Sequence, residues 1–366
     1  MRYLFCGGGT AGHVYPALAI AETLSSLDGK AEIFFIGTKN GMENQLVRRA
    51  GYPIWQIDAV GLKRSLSLKN LSVAVKTVKA VGEAKRIISD LRPDAVIGTG
   101  GYACYPVVRA AYGMGIYTAL HESNAVAGLA VKTLSKKADR IFTGFPECIG
   151  IKNGIYTGNP LRSGLLNVDR ESVRAELGIN GKYKYLTVSF GGSLGARAVN
   201  EIALCVMERL SAVRSDVVHY HSCGRDGEYF FAQMKARGLD GRANIRVSEY
   251  IHNMPTLLCA ADAVICRSGA MTLAELAAAN APAVLVPSPN VTGAHQLKNA
   301  KSYEAAGAAY LVDEREPGAC ERALTYMTAL LTDPDKREQM RRCIGKLSRP
   351  DASIEVAKTI LEDIRR

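Results

Sequence analysis

Short apolar runs alternate with segments of helical periodicity along most of this sequence. In the first half, the runs predict strands at Arg2–Cys6, Ala31–Ile36, Pro53–Ile57, Asp94–Gly98, Tyr117–Leu120 and Arg140–Thr143. In the second half, they predict strands at Tyr185–Phe190, Val217–His221, Asn244–Val247, Ala263–Cys266 and Ala283–Val286. Helical patterns between the strands predict helices at Ala17–Leu27, Leu71–Asp90, Val126–Lys136, Ala196–Leu210, Tyr229–Lys235, Leu273–Ala279 and Gln296–Ala306. This alternation is typical of an α/β protein whose parallel sheets carry helices on both faces.

The alternation is interrupted around Gly154–Arg170, where Gly158, Asn159 and Pro160 lie close together. Such a cluster favours a linker, and a chain of 366 residues is long enough for two domains of ordinary size. We therefore predict two doubly wound, Rossmann-like domains over residues 1–160 and 161–345. The remaining sequence is helical in pattern and ends in a helix at Ser353–Ile364.

Glycine-rich turns lead from predicted strands into predicted helices at Gly7–Gly12, Gly98–Gly101 and Gly191–Gly195, and Arg267–Thr272 is a further candidate. Backbone N–H groups at the start of a helix bind anions, and glycine lets a phosphate approach closely. One such turn is also an ordinary way to join a strand to a helix. Several of them predict phosphate binding at the carboxyl ends of the strands in both domains.

The sequence lacks residues that define two common nucleotide-binding motifs, the dinucleotide-binding turn and the P-loop. A dinucleotide-binding turn is followed about 20 residues later by an acidic residue, but here the second strand ends in Ile36-Gly37-Thr38-Lys39. The Lys-Ser/Thr pair of a P-loop follows none of the turns. The predicted phosphate therefore belongs to another kind of ligand.

Two titratable residues adjoin these turns. His13 directly follows the first turn, where a neutral imidazole would suit a general base; a histidine simply bonded to backbone fits the position equally well. Glu275 lies in the first turns of the helix that Ser268–Thr272 opens. A carboxylate is favourable there for the helix dipole alone, and it would also suit the two hydroxyls of a ribose.

Composition narrows the choice of partner. Lys and Arg number 46 against 35 Asp and Glu, a net charge of +11, which fits nucleic acid, an anionic membrane or a phosphate-rich substrate; no aromatic RNA-binding motif supports the first. Nine cysteines without a C-x-x-C pair predict reduced thiols and a cytoplasmic location. We interpret His219 and His221 as ordinary strand residues and Asp333-Pro334-Asp335 as a helix N-cap, so no metal site is predicted.

The motifs occur together in one family. They are Gly7–Ala19, Gly98–Tyr102, His121–Asn124, Gly158–Arg162, Gly191–Arg197, Arg267–Glu275 and Gln296–Ala300. As a set they resemble glycosyltransferase family 28. The resemblance implies a GT-B fold, with two domains facing a central cleft and the C-terminal helix returning to the first. It also implies an inverting transferase that needs no cofactor or metal and moves N-acetylglucosamine (GlcNAc) from UDP-GlcNAc to the 4-hydroxyl of the N-acetylmuramyl unit of lipid I, giving lipid II for peptidoglycan.

The resemblance assigns roles by motif. His13 is the expected catalytic residue. Donor binding is expected from Thr10, Ala11, Gly12, Asn124, Arg162, Ser193, Ile251, Ala270, Met271, Thr272, Leu273, Ala274, Glu275 and Gln296. The acceptor diphosphate is expected at Gly9, Gly100, Gly101 and Tyr102. One departure is His295, which stands where the family often has a first glutamine.

If the acceptor is anchored in a lipid bilayer, the protein must act at the membrane surface. Leu62–Lys79 alternates leucine and valine with Lys63, Arg64, Lys69 and Lys76, so we expect either a core-packed helix with a basic solvent face or a segment that docks on anionic lipid. The resemblance favours a peripheral protein on the cytoplasmic face of the inner membrane, with lipid I, an anionic surface and other cell-wall proteins as partners and no nucleic acid. The alternatives are a related transferase with another lipid acceptor, such as diacylglycerol, and a UDP-GlcNAc epimerase.

Overall fold

A computed structural model describes residues 1–59, 69–162, 168–179, 181–192, 194–291 and 294–366. The chain forms two compact units. The first comprises Met1–Arg162 with Arg349–Arg366, and the second comprises Ser163–Ser348. Among the described residues, no helix combines the length and the apolar character that crossing a bilayer requires.

The first unit is built on a parallel sheet. Its strands are β1 (Arg2–Gly7), β2 (Glu32–Thr38), β3 (Ile54–Ile57), β4 (Ala95–Gly100), β5 (Tyr117–Glu122), β6 (Arg140–Thr143) and β7 (Ile155–Tyr156). Its helices are α1 (Ala11–Leu27), α2 (Glu43–Arg49), α3 (Lys69–Leu91), α4 (Cys104–Tyr112), α5 (Leu129–Leu134) and the last helix of the chain, α14 (Ala352–Arg365). The strand order is β3-β2-β1-β4-β5-β6-β7, so the chain adds β2 and β3 on one side of β1 and then continues with β4 on its other side. We call the position between β1 and β4 the reversal point. In open α/β sheets, ligands bind beyond the carboxyl ends of the two strands at this point.

The second unit repeats this plan. Its strands are β8 (Tyr185–Phe190), β9 (Val217–Ser222), β10 (Ile245–Ser248), β11 (Ala263–Cys266), β12 (Ala283–Leu285) and β13 (Ala309–Leu311). Its helices are α6 (Arg170–Glu176), α7 (Arg197–Val213), α8 (Gly227–Ala236), α9 (Met254–Ala260), α10 (Ala270–Ala278), α11 (His295–Ala305), α12 (Ala319–Thr332) and α13 (Pro334–Gly345). The order β10-β9-β8-β11-β12-β13 places the reversal between β8 and β11. The predicted fold of two Rossmann-like, parallel α/β units is confirmed.

Helix α14 belongs to the first unit through both packing and charge. Val356, Ala357, Ile360 and Leu361 share one face and are buried in the same cluster as residues of α1. On another face, the Asp363 carboxylate accepts bonds from Arg140 at 2.6 Å and from the Tyr117 hydroxyl at 2.8 Å. The chain therefore returns to its starting unit at its end.

One expectation about the cysteines is wrong. Cys205 on α7 and Cys320 on α12 are joined as a disulfide, with their Cα atoms 6.4 Å apart, whereas the sequence predicted reduced thiols. The two residues are 115 positions apart, and only the packing of α7 against α12 brings them together. The other seven cysteines are free.

Candidate functional site

Two glycine turns meet at the reversal point of the first sheet. The turn after β1 and the turn after β4 approach so closely that a Cβ at Gly101 would overlap the carbonyl oxygen of Gly8. The Gly8 N–H also donates to the Gly100 carbonyl at 3.3 Å. Gly9, Gly100 and Gly101 have φ values of 82°, 101° and 81°, a region that glycine adopts without strain. The sequence patterns at 7–12 and 98–101 thus form one site.

His13 is held within this site by its ring and by its backbone. Its carbonyl accepts a bond from Thr99 Oγ1 at 2.7 Å. Its Nδ1 lies 3.1 Å from the Gly8 carbonyl oxygen and 3.1 Å from Thr10 Oγ1. A carbonyl can only accept, so in the neutral ring Nδ1 carries the proton and Nε2 keeps its lone pair. Nε2 faces Gly100, where a Cβ would lie only 3.0 Å from it.

Two further predicted residues of the first unit, Asn124 and Arg162, follow β5 and β7. Glu122, at the end of β5, accepts bonds from the backbone N–H and the side-chain amide of Asn124 at 3.0 and 3.1 Å. Asn159 donates to the Ser123 carbonyl at 3.1 Å, so the 121–124 and 158–162 motifs are bonded to each other. Arg162 is exposed, as is Tyr102.

In the second unit, the turn after β8 packs on the loop that follows β9. A Cβ at Gly195 would lie 2.6 Å from the Cys223 carbonyl oxygen. The Arg225 N–H donates to the Leu194 carbonyl at 3.2 Å. Gly192 and Gly195 have φ values of 93° and 79°. The predicted phosphate contact Ser193 lies outside the described residues.

The turn after β11 is joined to the start of α11 by hydrogen bonds. The buried Ser268 hydroxyl donates to the Gln296 carbonyl at 2.8 Å, and Asn299 donates to the Ser268 carbonyl at 3.2 Å. The Gln296 side-chain oxygen accepts from the Ser288 N–H at 2.9 Å. Ala270–Ala274 form the first turns of α10, which begins directly after Gly269. This arrangement places Gln296 beside the turn that leads into α10, and its contact with the donor stays a prediction.

Glu275 follows one turn later on α10. It is largely withdrawn from water, and burial raises the pKa of its carboxyl to about 7. A carboxylate withdrawn from water gains most from hydroxyl donors that replace its lost hydration. Ile251, the predicted uracil contact, is 9% exposed in the loop between β10 and α9.

The histidine pair on β9 is structural, as the sequence predicted. Bonds of 2.7 Å join Thr187 to His219, His219 to Ser189, and Ser189 to His221. His221 Nε2 lies 3.2 Å from the Asn200 side-chain oxygen. Burial lowers the pKa of His219 to about 3, which keeps the ring neutral. Asp333 caps α13 by accepting from the Lys336 N–H at 3.0 Å, so its N-cap role is also confirmed.

Three carboxylates, two of them buried and the third partly buried, support the site but carried no prediction. Glu122 holds Asn124, Glu314 pairs with Arg267 beside the turn after β11, and Glu43 accepts from the Gly9 N–H at 3.0 Å. The only sequence signal was indirect. Glu122 lies inside a quoted motif, and Glu43 follows Gly37 and Gly41 closely.

Two Rossmann-like units in tandem, each with glycine turns at its reversal point, define the GT-B class of glycosyltransferase fold. Residues 3–143 match the model of the glycosyltransferase family 28 N-terminal domain, and residues 187–356 match that of the family's C-terminal domain. The chain belongs to glycosyltransferase family 28. The predicted resemblance is thereby confirmed.

Individual relatives are similar to this chain over nearly its whole length. The chain is 41% identical over 359 residues to the UDP-N-acetylglucosamine–N-acetylmuramyl-(pentapeptide) pyrophosphoryl-undecaprenol N-acetylglucosamine transferase of Desulforudis audaxviator, covering 96% of this chain and 95% of the relative. A crystal structure of MurG from Acinetobacter baumannii is similar with a TM-score of 0.77 and 30% identity, covering 99% of each chain. A UDP-GlcNAc 2-epimerase from Neisseria meningitidis has a TM-score of 0.66 at 14% identity, covering 99% of this chain and 100% of that one; this likeness shows the fold alone.

Proposed function

We propose that this protein transfers GlcNAc from UDP-GlcNAc to N-acetylmuramyl-pentapeptide pyrophosphoryl-undecaprenol, called lipid I, and so forms lipid II. The relative of Desulforudis audaxviator carries this activity in its name. The geometric observation that carries the proposal is His13, whose proton is held on Nδ1 by the Gly8 carbonyl at 3.1 Å. That bond leaves Nε2 as a base at the edge of a phosphate-binding turn.

The proposed reaction is a single displacement. His13 Nε2 takes the proton of the acceptor 4-hydroxyl as that oxygen attacks C1 of GlcNAc. The new C1–O4 bond forms as the bond from C1 to the UDP oxygen breaks, and UDP leaves with the electron pair. Attack on the face opposite UDP inverts the configuration at C1. Helix N-termini stabilise the negative charge on the leaving diphosphate, and this is the usual form of electrostatic catalysis at such turns.

The donor is proposed to bind the second unit. The N-terminus of α10 and the turn after β8 hold the diphosphate, Glu275 accepts bonds from the two ribose hydroxyls, and backbone at Ile251 meets the uracil. Gln296 contacts the sugar, with its side-chain oxygen already fixed by the Ser288 N–H. This leaves the amide NH₂ of Gln296 as its donor toward a hydroxyl.

The affinity for UDP-GlcNAc is expected to depend on pH through Glu275. Hydroxyl donors favour the ionised carboxylate, and the pKa of Glu275 is about 7. Binding should therefore weaken as the pH falls below 7, approaching about tenfold per pH unit. The measurement is the dissociation constant of UDP-GlcNAc between pH 5.5 and 8.5 by calorimetry. UDP-GlcNAc is used because its diphosphate has no group that titrates in this range.

The Glu275→Gln variant is the control for this pH dependence. It removes the titrating group and leaves His295 and the other ionisable residues in place. The profile of the variant should be flat where the wild type rises. An equally steep profile in both proteins would assign the dependence to another group.

Membrane association is proposed to use α3. Val75 and Val78 on this helix are 64% and 73% exposed, and Lys76 and Lys79 beside them are exposed as well. Apolar side chains among lysines suit the headgroup region of an anionic bilayer. The part of the predicted segment over residues 62–68 lies outside the described residues.

Reversing both lysines, Lys76→Glu with Lys79→Glu, should weaken binding to vesicles that contain anionic lipid by about tenfold or more, since each basic residue near the surface contributes about 1 kcal/mol. Co-sedimentation measures this effect. The matched control, Lys182→Glu with Lys235→Glu, makes the same charge change at exposed positions of the second unit. Equal weakening by both pairs would point to net charge and not to α3.

The activity itself is tested by UDP release. UDP-GlcNAc is supplied alone, with a short-chain lipid I analogue, or with diacylglycerol. The proposal expects release only with the analogue. UDP release without any acceptor would identify a hydrolase, and conversion of UDP-GlcNAc into another UDP-sugar without net UDP release would identify an epimerase. UDP release with diacylglycerol would identify a related transferase.

A further inference from the structure

A carboxylate is buried beneath the first glycine turn. Glu43, the first residue of α2, is fully buried. Its Oε2 accepts from the Gly9 N–H at 3.0 Å, and its Oε1 accepts from the Thr38 N–H and hydroxyl at 2.8 and 2.7 Å. All of these donors are neutral backbone or hydroxyl groups.

The surrounding chain is shaped to fit this group. Gly8 follows β1, and Gly37 and Gly41 lie in the segment that leads from β2 into α2; a Cβ at any of the three would lie within 2.6 Å of Glu43 atoms. The carboxylate thus occupies a pocket that three glycines create. A backbone turn with N–H groups directed at one point is an anion-binding nest, and here the anion is part of the protein.

We propose that Glu43 is a positioning residue that preforms the acceptor-diphosphate site of the first unit. Its bond to the Gly9 N–H holds the turn in its left-handed conformation, with φ at 82° for Gly9. The N–H groups at the start of α1, which have no partner within the helix, are then left for a ligand. This inference rests on the proposed function and refines it. Because the Gly9 N–H is bonded to Glu43, Gly9 contributes to the acceptor site by letting the diphosphate approach the backbone closely and not by donating a hydrogen bond to it.

The amide replacement Glu43→Gln isolates the bond to Gly9. The glutamine oxygen can accept both Thr38 donors, but its NH₂ group then faces the Gly9 N–H, donor against donor. If the glutamine amide were turned the other way, its NH₂ group would face the Thr38 N–H, which is also a donor, and the bonds to Thr38 would be lost instead. A buried donor left without an acceptor costs enough to weaken a dependent equilibrium by about 10- to 100-fold.

The matched control is Thr38→Val. This change has nearly the same shape and removes one bond to the same carboxylate, on the side away from Gly9. Gly41→Ala is a second test variant, because it keeps the carboxylate but forces it to shift. All variants are compared at a temperature where circular dichroism shows them folded.

The experiment measures equilibrium binding of a short-chain lipid I analogue and of UDP-GlcNAc, together with kcat/KM for the analogue. Glu43→Gln and Gly41→Ala should weaken analogue binding by about tenfold or more, with UDP-GlcNAc binding unchanged and Thr38→Val like the wild type. Wild-type affinity for the analogue in Glu43→Gln would overturn the proposal, and so would equal weakening in Thr38→Val. The proposed function is judged separately, on transfer by the wild type.

Discussion

Replacing His13 with alanine is expected to lower kcat for GlcNAc transfer by about 10²- to 10⁴-fold, the range for loss of a general base. The expectation follows from the ring's tautomer. Nδ1 donates to the Gly8 carbonyl at 3.1 Å, so Nε2 is the nitrogen that can accept a proton. Single-turnover transfer to a lipid I analogue measures the effect without interference from product release.

A matched variant separates chemistry from packing at this position. Asparagine at residue 13 can still donate to the Gly8 carbonyl but has no distal nitrogen, so His13→Asn should be as slow as His13→Ala. Both should bind UDP-GlcNAc nearly as tightly as the wild type, because the proposed donor contacts lie mainly on the second unit. Near-normal kcat in either variant would remove His13 from the proton transfer.

Replacing Glu275 with alanine is expected to weaken UDP-GlcNAc binding by about 10- to 100-fold, the cost of losing hydrogen bonds to a charged acceptor. The carboxyl is withdrawn from water, and its pKa is raised to about 7, so the ribose hydroxyls replace hydration that the protein has removed. The wild type should also bind 2′-deoxy-UDP less tightly than UDP. This preference should disappear in Glu275→Ala.

Glu304→Ala is the control for that change, since Glu304 is an exposed glutamate on α11 in the same unit. Its affinity for UDP-GlcNAc should match the wild type. If Glu275→Ala kept the preference for UDP over 2′-deoxy-UDP, the ribose hydroxyls would have another partner. The assignment of Glu275 would then fail even if the affinity had dropped.

The two sheets could be predicted because their strands are buried on both faces. Such strands form short continuous apolar runs, and β8 and β11 were predicted with the bounds that the structure has. Helices α2 and α9 were missed because seven residues are too few to establish a helical period. Helix α4 was missed for a similar reason, since its nine residues cover only about two and a half turns.

The candidate site was predictable where it depends on local sequence. Glycine turns after strands can be recognised from the sequence, and so can His13 beside the first of them. The features that depend on tertiary contact were not predictable. They include the Nδ1 proton held by Gly8, the burial of Glu275, and the contact of Glu43 with Gly9 across 34 positions. Each requires two segments whose closeness only the folded sheet creates.

The central claim is tested most directly by following radiolabelled GlcNAc from UDP-GlcNAc into a short-chain lipid I analogue and determining the linkage formed. The account predicts one β-1,4-linked disaccharide product, formed with stoichiometric release of UDP and formed about 10²- to 10⁴-fold more slowly by His13→Asn. Label that stays in UDP-sugar, or that enters the analogue with retained configuration at C1, would contradict it.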